Sequence, residues 1–210
     1  MFTGLIETTG RLVRLEPGAG GLRVRIATPV AVQLRAGDSV AVSGVCLTVT
    51  EPDDESFVAD VSPETARVTT FGAMRVGRLL NIERPLRADG RLGGHFVLGH
   101  VDGVGQVVDI RPDGDCHWLD VTCPPALSPL LIAKGSIALD GISLTVAALS
   151  AHRFGIQIVP FTWTHTALAE THAGDAVNLE ADVIGKYVAR LMGHEREPAE
   201  MAAALARESS

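Results

Sequence analysis

The sequence predicts an all-β protein made of two tandem antiparallel barrels of about six strands each, with a helix after the second. Three observations predict it. The chain repeats itself: SVAVSGVCLTV at 39–49 returns 97 residues later as SIALDGISLTV, with Ser39/Ser136, Ala41/Ala138, Gly44/Gly141, Leu47/Leu144, Thr48/Thr145 and Val49/Val146 identical. Each copy alternates apolar and polar residues, and the phase slips by one at Ser43-Gly44 and again at Asp140-Gly141, the pattern of two short strands joined by a tight hairpin. Short apolar runs punctuated by Gly, Pro or Asp fill the rest of both halves, and the chain carries 22 glycines.

In chain order, strand candidates in the first half lie at 2–6, 10–15, 22–27, 38–50, 56–61 and 79–84. The repeat covers more than the hairpin. Gly4, Ile6, Gly10 and Leu12 correspond to Gly99, Val101, Gly105 and Val107 at an offset of 95. Pro63, Thr65 and Thr69 correspond to Pro160, Thr162 and Thr166, and Gly77, Asn81 and Glu83 to Gly174, Asn178 and Glu180, at 97. A two-residue difference between blocks is what a surface loop absorbs. The halves fall at about 1–95 and 96–190. Ser62–Thr70 and Thr162–Thr171 each have room for a short helical turn. Ile184, Val188, Leu191 and Met192 then follow an i, i+4, i+7, i+8 spacing, an amphipathic helix that Gly193 stops, and Pro198 opens a second, frayed helix. The chain thus divides into barrels at 1–95 and 96–183 and a helical tail at 184–210.

Alternation also sorts the side chains. With Val45, Leu47 and Val49 facing a core, Cys46 and Thr48 face away from it, and Ser143 and Thr145 do the same in the second copy. Each half therefore carries a small polar pair on its non-core face, the outline of two equivalent sites.

A formal net charge of −7 and the absence of a basic run argue against nucleic acid as a partner. No apolar run approaches the roughly 20 residues of a membrane span, and the start, MFTGLIETTGRL, lacks the features of a signal peptide. Three cysteines, Cys46, Cys116 and Cys123, without metal-like spacing point to reduced thiols in the cytoplasm, and no metal motif is visible.

MFTGLIE at the start, GDSVAVSGVCLTVT at 37–50, GGHFVLGHVDG at 93–103, KGSIALDGISLTV at 134–146 and GDAVNLEADVIGKYVARL at 174–191 closely resemble the α-chain type of riboflavin synthase, a family of tandem lumazine-binding barrels. The resemblance spans about residues 1–192. It implies two six-stranded Greek-key barrels, a C-terminal helix that assembles a homotrimer, and a transferase that works without a cofactor. Two molecules of 6,7-dimethyl-8-ribityllumazine exchange a four-carbon unit, giving riboflavin and a 5-amino-6-ribitylamino-pyrimidinedione. The site forms between the N-terminal barrel of one chain and the C-terminal barrel of the next. The resemblance also brings lumazine synthase into view as a partner, and a non-catalytic lumazine- or flavin-binding antenna protein as the alternative function.

Carried over residue by residue, the resemblance makes His100 the first candidate for proton transfer, since a methyl proton must leave the substrate and an imidazole ordinarily titrates near pH 6.5. Cys46, Ser143, Thr145, Ser39 and Asp182 join it as catalytic candidates. Phe2, Gly4, Leu5 and Ile6 form the N-terminal motif that reaches the site, where glycine permits close backbone approach to a flat ring. Thr48 completes the first polar pair, Leu47 and Leu144 lie between the members of the two pairs, Gly99 and Val101 flank His100, and Lys134 reaches toward a neighbouring chain's ligand. Asp60, Val61, Ser62, Pro63, Glu64 and Thr65, with Ile158, Val159, Pro160, Phe161, Thr162 and Trp163, offer backbone groups to the pyrimidine edge. Cys46 against Ser143, and His100 against Leu5, are the main chemical differences between the copies, and on them rests the expectation that one site binds donor and the other acceptor. His95 reads as structural or hydrogen-bonding, pointing away from His100 if the two share a strand. Two positions depart from the family: Ser43, where Asn is usual, and Phe161, where His or Glu is common. Trp163 either stacks on ligand or caps the barrel.

Overall fold

The computed structural model describes residues 1–18 and 20–193. Six strands close the first barrel: β1 (Thr8–Gly18), β2 (Gly21–Ala27), β3 (Ser39–Val42), β4 (Val45–Pro52), β5 (Ser56–Val61) and β6 (Leu79–Glu83), ordered β1-β2-β5-β4-β3-β6 with β6 pairing back on β1. The second repeats them as β7 (Gly103–Asp113), β8 (Cys116–Thr122), β9 (Ser136–Leu139), β10 (Ile142–Leu149), β11 (Arg153–Ile158) and β12 (Ala176–Ala181), and it too is closed. All the pairings are antiparallel, and closure leaves no free sheet edge. No described helix is long and apolar enough to cross a membrane.

One strand candidate is corrected. Residues 2–6 join no barrel sheet; only Phe2 makes a bridge, to Val97. The count of six holds because the 38–50 segment is two strands, with Ser39↔Thr48 and Val42↔Val45 framing a turn at Ser43-Gly44. Both turn residues have positive φ, 43° and 78°, and Asp140 and Gly141 match them at 44° and 79°.

The helical turns expected after the fifth strand of each half are present. α1 (Pro63–Val68) has proline in its first turn and Ser62 as N-cap, whose Oγ accepts from the Thr65 amide at 3.0 Å. α2 (Pro160–His165) starts the same way, but the side chain of its cap, Val159, has no polar atom and makes no capping hydrogen bond. α3 (Val183–Leu191) is capped by Asp182, which accepts from the Ile184 amide at 3.0 Å, and Gly193 follows it at φ 71°. The second tail helix expected at Pro198 lies outside the described residues, as does His194.

The barrels fill separately. Leu12, Ile26, Val40, Phe57, Leu80 and Ile82 lie in the first core; Leu119, Ile137, Leu139, Phe154, Ile156 and Leu179 lie in the second. A small third cluster, Phe2, Ala41, Val97 and Ala138, sits between them. The barrels dock through the hairpin tips. A Cβ on Gly44 would fall 2.7 Å from the Gly141 nitrogen, and the reverse holds at 2.7 Å.

Around that point the contacts come in matched pairs. Asn81 Nδ2 donates to the Asp140 carbonyl at 2.8 Å and Asn178 Nδ2 to the Ser43 carbonyl at 2.9 Å. The Ala167 amide donates to Asn81 Oδ1 at 2.7 Å and the Thr70 amide to Asn178 Oδ1 at 2.8 Å. Residue i in one half meets its counterpart's partner in the other, so the halves are related by an approximate twofold axis. Arg78 and Asp175, themselves counterparts, bond across it at 3.2 Å.

Two outcomes follow. Asn178→Ala removes a buried donor and acceptor and leaves the Ser43 carbonyl and Thr70 amide unmatched, so thermal or urea unfolding should show a loss of about 2–6 kcal/mol, at roughly 1–3 kcal/mol per stranded group. Asp140 is buried, and that desolvation pushes its carboxyl up to about 7 despite the bond from the Asn178 amide and the nearby Arg78. The folded state then binds a proton that the unfolded state releases, so Asp140 contributes stability at low pH that is lost as pH rises from about 4 towards 7. Replacing it by its counterpart, Asp140→Ser, should flatten the wild-type stability slope across that window in denaturant titrations.

Candidate active site

On β4, Val45, Leu47 and Val49 are buried in the barrel, while Cys46 is half-buried and Thr48 exposed on the outer face. On β10, Ile142 and Val146 are buried, Ser143 is half-buried and Thr145 exposed. Across the ladders Ser39 stands opposite Thr48 and Ser136 opposite Thr145. The two polar faces expected from alternation exist, one per barrel. Ser39 also borders an open cleft of about 680 Å3 with Thr3, Leu5, Glu83 and Arg84.

Each face is completed by the other half of the chain. The Ser143 amide donates to the Gly4 carbonyl at 2.8 Å, and the Cys46 amide to the Gly99 carbonyl at 2.9 Å. The approach is so close that a Cβ on Gly4 would sit 2.6 Å from Ser143 Cβ, and one on Gly99 2.6 Å from Cys46 Cβ. Both glycines have positive φ, 76° and 79°, so glycine is required twice over. The next residues follow the same crossing: Ile6 packs on the second barrel's core and Val101 on the first's. His100, exposed between Gly99 and Val101, therefore stands at the Cys46 face, and Leu5, 52% exposed, at the Ser143 face.

His95 is hydrogen-bonding, as read from the sequence, but strand parity does not set its direction, because residues 95–100 form no continuous strand. His95 is buried, and its Nδ1 is hydrogen-bonded to Ser143 Oγ at 2.7 Å. Burial pulls its imidazole below its ordinary titration range, while the charge of Asp182 raises it. Its Nε2 has no hydrogen-bond partner among the described residues. A neutral imidazole against a serine hydroxyl can draw or return the hydroxyl proton. One segment, 95–100, thus delivers an imidazole to each face, so the second face does not lack one, as the Leu5 comparison alone suggests.

The remaining candidates divide. Phe2, Leu47, Val61 and Ile158 are buried, with Leu47, Val61 and Ile158 in the barrel cores and Phe2 between the barrels, so only their backbone is available to a ligand. Leu144 leans on the second core. Asp60, Ser62, Pro63 and Glu64 are exposed with Thr65 half-buried; Glu64 pairs with Arg67 at 2.7 Å. Val159, Pro160 and Phe161 are exposed and Thr162 half-buried. Phe161, 70% exposed, stacks on His165 with centroids 4.0 Å apart. Trp163 stacks on His117 at 4.0 Å and packs on the barrel core, so it caps the barrel. At the other departure, the Ser43 hydroxyl accepts from the Asn81 amide at 3.2 Å. Lys134 is exposed with φ 66°, where its counterpart is Gly37 at φ 93°. A non-glycine residue held there costs roughly 1–3 kcal/mol.

Sequence reasoning gave no role to Glu83 and Glu180, although both stood out in the repeat. Each is buried, at 4% and 2% exposure, and each binds the backbone of a crossing loop. The signal was a charged residue repeated within an apolar strand. Among the described residues, no group of three or more His, Cys, Asp or Glu side chains could hold a metal ion.

With the geometry in place, comparison with known proteins is informative. The lumazine binding domain model matches residues 3–85 and again 98–182. The riboflavin synthase of Actinobacillus pleuropneumoniae is 40% identical over 193 residues, covering 91% of this chain and 90% of that protein. That of Bacillus subtilis strain 168 is 38% identical with the same coverages, and that of Mycobacterium tuberculosis H37Rv 41% identical over 91% of this chain and 98% of its own length. Crystal structures of LumP with 6,7-dimethyl-8-(1'-D-ribityl)lumazine and with riboflavin superpose with TM-scores of 0.78 and 0.81, each over 86% of this chain and 99% of theirs, at 22% and 23% identity; they show the shared fold.

The surroundings of His95 set a measurable expectation. Its imidazole should titrate below 6.5 by NMR, and Asp182→Asn, by removing the neighbouring negative charge, should lower that midpoint further. An upward move would mean that Asp182 does not act on His95.

Proposed function

The chain belongs to the riboflavin synthases of the lumazine-binding domain family, and from that premise we propose how its two faces carry out the dismutation of 6,7-dimethyl-8-ribityllumazine. Two molecules of this one substrate react, a four-carbon unit passes from donor to acceptor, and riboflavin and 5-amino-6-ribitylamino-2,4(1H,3H)-pyrimidinedione leave. The atoms balance without an added oxidant or reductant. The observation that carries the reading is the pair of like faces, each a polar pair on a barrel strand roofed by the other half's glycine loop.

Orientation is the larger contribution. Holding two flat heterocycles in register is worth roughly 7–11 kcal/mol as effective molarity, against about 3–5 kcal/mol for the 10²–10⁴-fold of acid–base help. Gly4 and Gly99 seat the crossing loops directly on Ser143 and Cys46, and the Pro63/Thr65 and Pro160/Thr162 segments turn backbone groups toward the pyrimidine edge. His100 at the Cys46 face takes the methyl proton. Ser143, with His95 behind it, handles the proton traffic at the other face. The differences between the faces, Cys46 against Ser143 and His100 against Leu5, assign donor and acceptor.

The two faces of one chain are roofed separately, so the reacting pair is brought together by assembly: the N-terminal barrel of one copy meets the C-terminal barrel of the next. The stripe on α3, with Ile184, Val188 and Leu191 at 56, 49 and 86% exposure, supports three copies packing through that helix. Three unpaired cysteines suit the reducing cytoplasm.

Incubation with 6,7-dimethyl-8-ribityllumazine alone should yield flavin absorbance from a particle that sediments as a trimer. His100→Ala should lower kcat by about 10²-fold and Cys46→Ala by less, with ligand affinity changed little in both. Tight binding without turnover in the wild type would leave a binding protein, and full rates in both variants would remove these role assignments.

A further inference from the structure

Glu180, on the last strand of the second barrel, is 2% exposed and collects three consecutive amides. Oε1 accepts from Leu98 at 2.7 Å, and Oε2 from Gly99 at 3.0 Å and His100 at 3.1 Å. Three neighbouring N–H groups converge on one carboxylate only if the backbone curls, and Gly99 at φ 79° supplies the curl. The same curl seats the Gly99 carbonyl on the Cys46 amide and leaves His100 standing at that face. Glu83 does the equivalent in the first half, accepting from the Thr3 and Gly4 amides at 2.7 and 3.0 Å and from the Thr3 hydroxyl at 2.8 Å. Its loop seats Gly4 on Ser143 and presents Leu5.

Hydrogen bonds to an ionised carboxylate are about twice as strong as neutral ones, so each glutamate is a strong tie on its loop. A second tie follows each loop: in the first half Glu7 Oε1 accepts from the Arg84 amide at 2.9 Å and Oε2 pairs with the Arg84 guanidinium at 2.8 Å, and the His100 loop has the equivalent. Asp102 Oδ2 accepts from the Ala181 amide at 2.8 Å, and Oδ1 meets Lys186 Nζ of α3 at 2.6 Å. Lys186 and Asp102 are the charged groups acting on Glu180, and Glu7 is the one acting on Glu83.

We propose that Glu180 is the positioning residue for His100, and that Glu83, its counterpart, positions the Leu5 loop over the Ser143 face, where the His95–Ser143 side-chain bond at 2.7 Å is made independently of the carboxylate, so that two equivalent carboxylates serve different kinetic steps. The difference arises from what each loop carries. Misplacing an imidazole that must meet a proton slows chemistry, whereas misplacing an aliphatic contact weakens binding. The inference rests on the reading of His100 as the proton carrier.

The test compares full-length Glu180→Gln, Glu83→Gln and His100→Ala. Glutamine keeps the shape but turns one acceptor into an NH2 that faces an amide N–H. Glu180→Gln should lower kcat about 10- to 100-fold with KM nearly unchanged, and should move the 1H–15N signals of the His100 amide and imidazole. Glu83→Gln should raise KM with a much smaller loss of kcat and leave the His100 signals in place. The same kinetic pattern in both variants, or unmoved His100 signals in Glu180→Gln, would reduce the pair to structural support. If His100→Ala keeps full rate while the His100 signals still move in Glu180→Gln, the role of His100 falls and the positioning stands. Should Glu180→Gln fail to fold, Glu180→Asp, with the carboxylate withdrawn by one methylene, is read by the same two measurements.

Discussion

Two glycines without side chains set the geometry of this protein. Gly44 and Gly141 meet at the hairpin tips so closely that neither tolerates a Cβ. That approach lets Asn81 and Asn178 reach across and bind the opposite tip. A matched hydrogen bond adds only about 0.5–1.5 kcal/mol net, but a buried group left unmatched costs about 1–3 kcal/mol. The docking is therefore specified more by the penalty of missing than by the gain of meeting. Any other orientation of the barrels strands several buried amides and carbonyls at once.

From that docking comes the crossing of loops. Each half begins with a short segment that is no strand of its own barrel's sheet and lies on the face of the other. The thin inter-barrel cluster of Phe2, Ala41, Val97 and Ala138 and the buried glutamates hold these segments down. Each half on its own presents an unroofed face, so the functional unit is the pair, and duplication here is part of the site's construction.

The chemistry benefits in a particular way. Two copies of one molecule call for two like surfaces, which a duplicated domain supplies. They must also play unlike roles, which requires the copies to differ. The differences lie at few positions: a thiol against a hydroxyl, an exposed imidazole over one face and a buried one bound to Ser143 at the other. On the proposed reading, the groups that orient the rings are repeated and those that move protons are not.

The sequence by itself determined the number of barrels, the hairpins, the inward and outward faces of β4 and β10 and the amphipathic C-terminal helix. All are set by short-range rules: side chains alternate along a strand, glycine permits left-handed turns, and apolar residues recur at helical spacing. The family motifs supplied the site candidates on the same local basis. Only the tertiary structure decided that residues 2–6 leave the sheet, that His95 meets Ser143 rather than merely opposing His100, that Phe2 is buried between the barrels, and that Glu83 and Glu180 grip the crossing loops. Each of these joins residues about 48 to 82 positions apart or sends a segment onto the other half. A chain that repeats itself offers every such segment two equivalent surfaces, its own barrel's and its copy's, and only the packed three-dimensional arrangement selects between them.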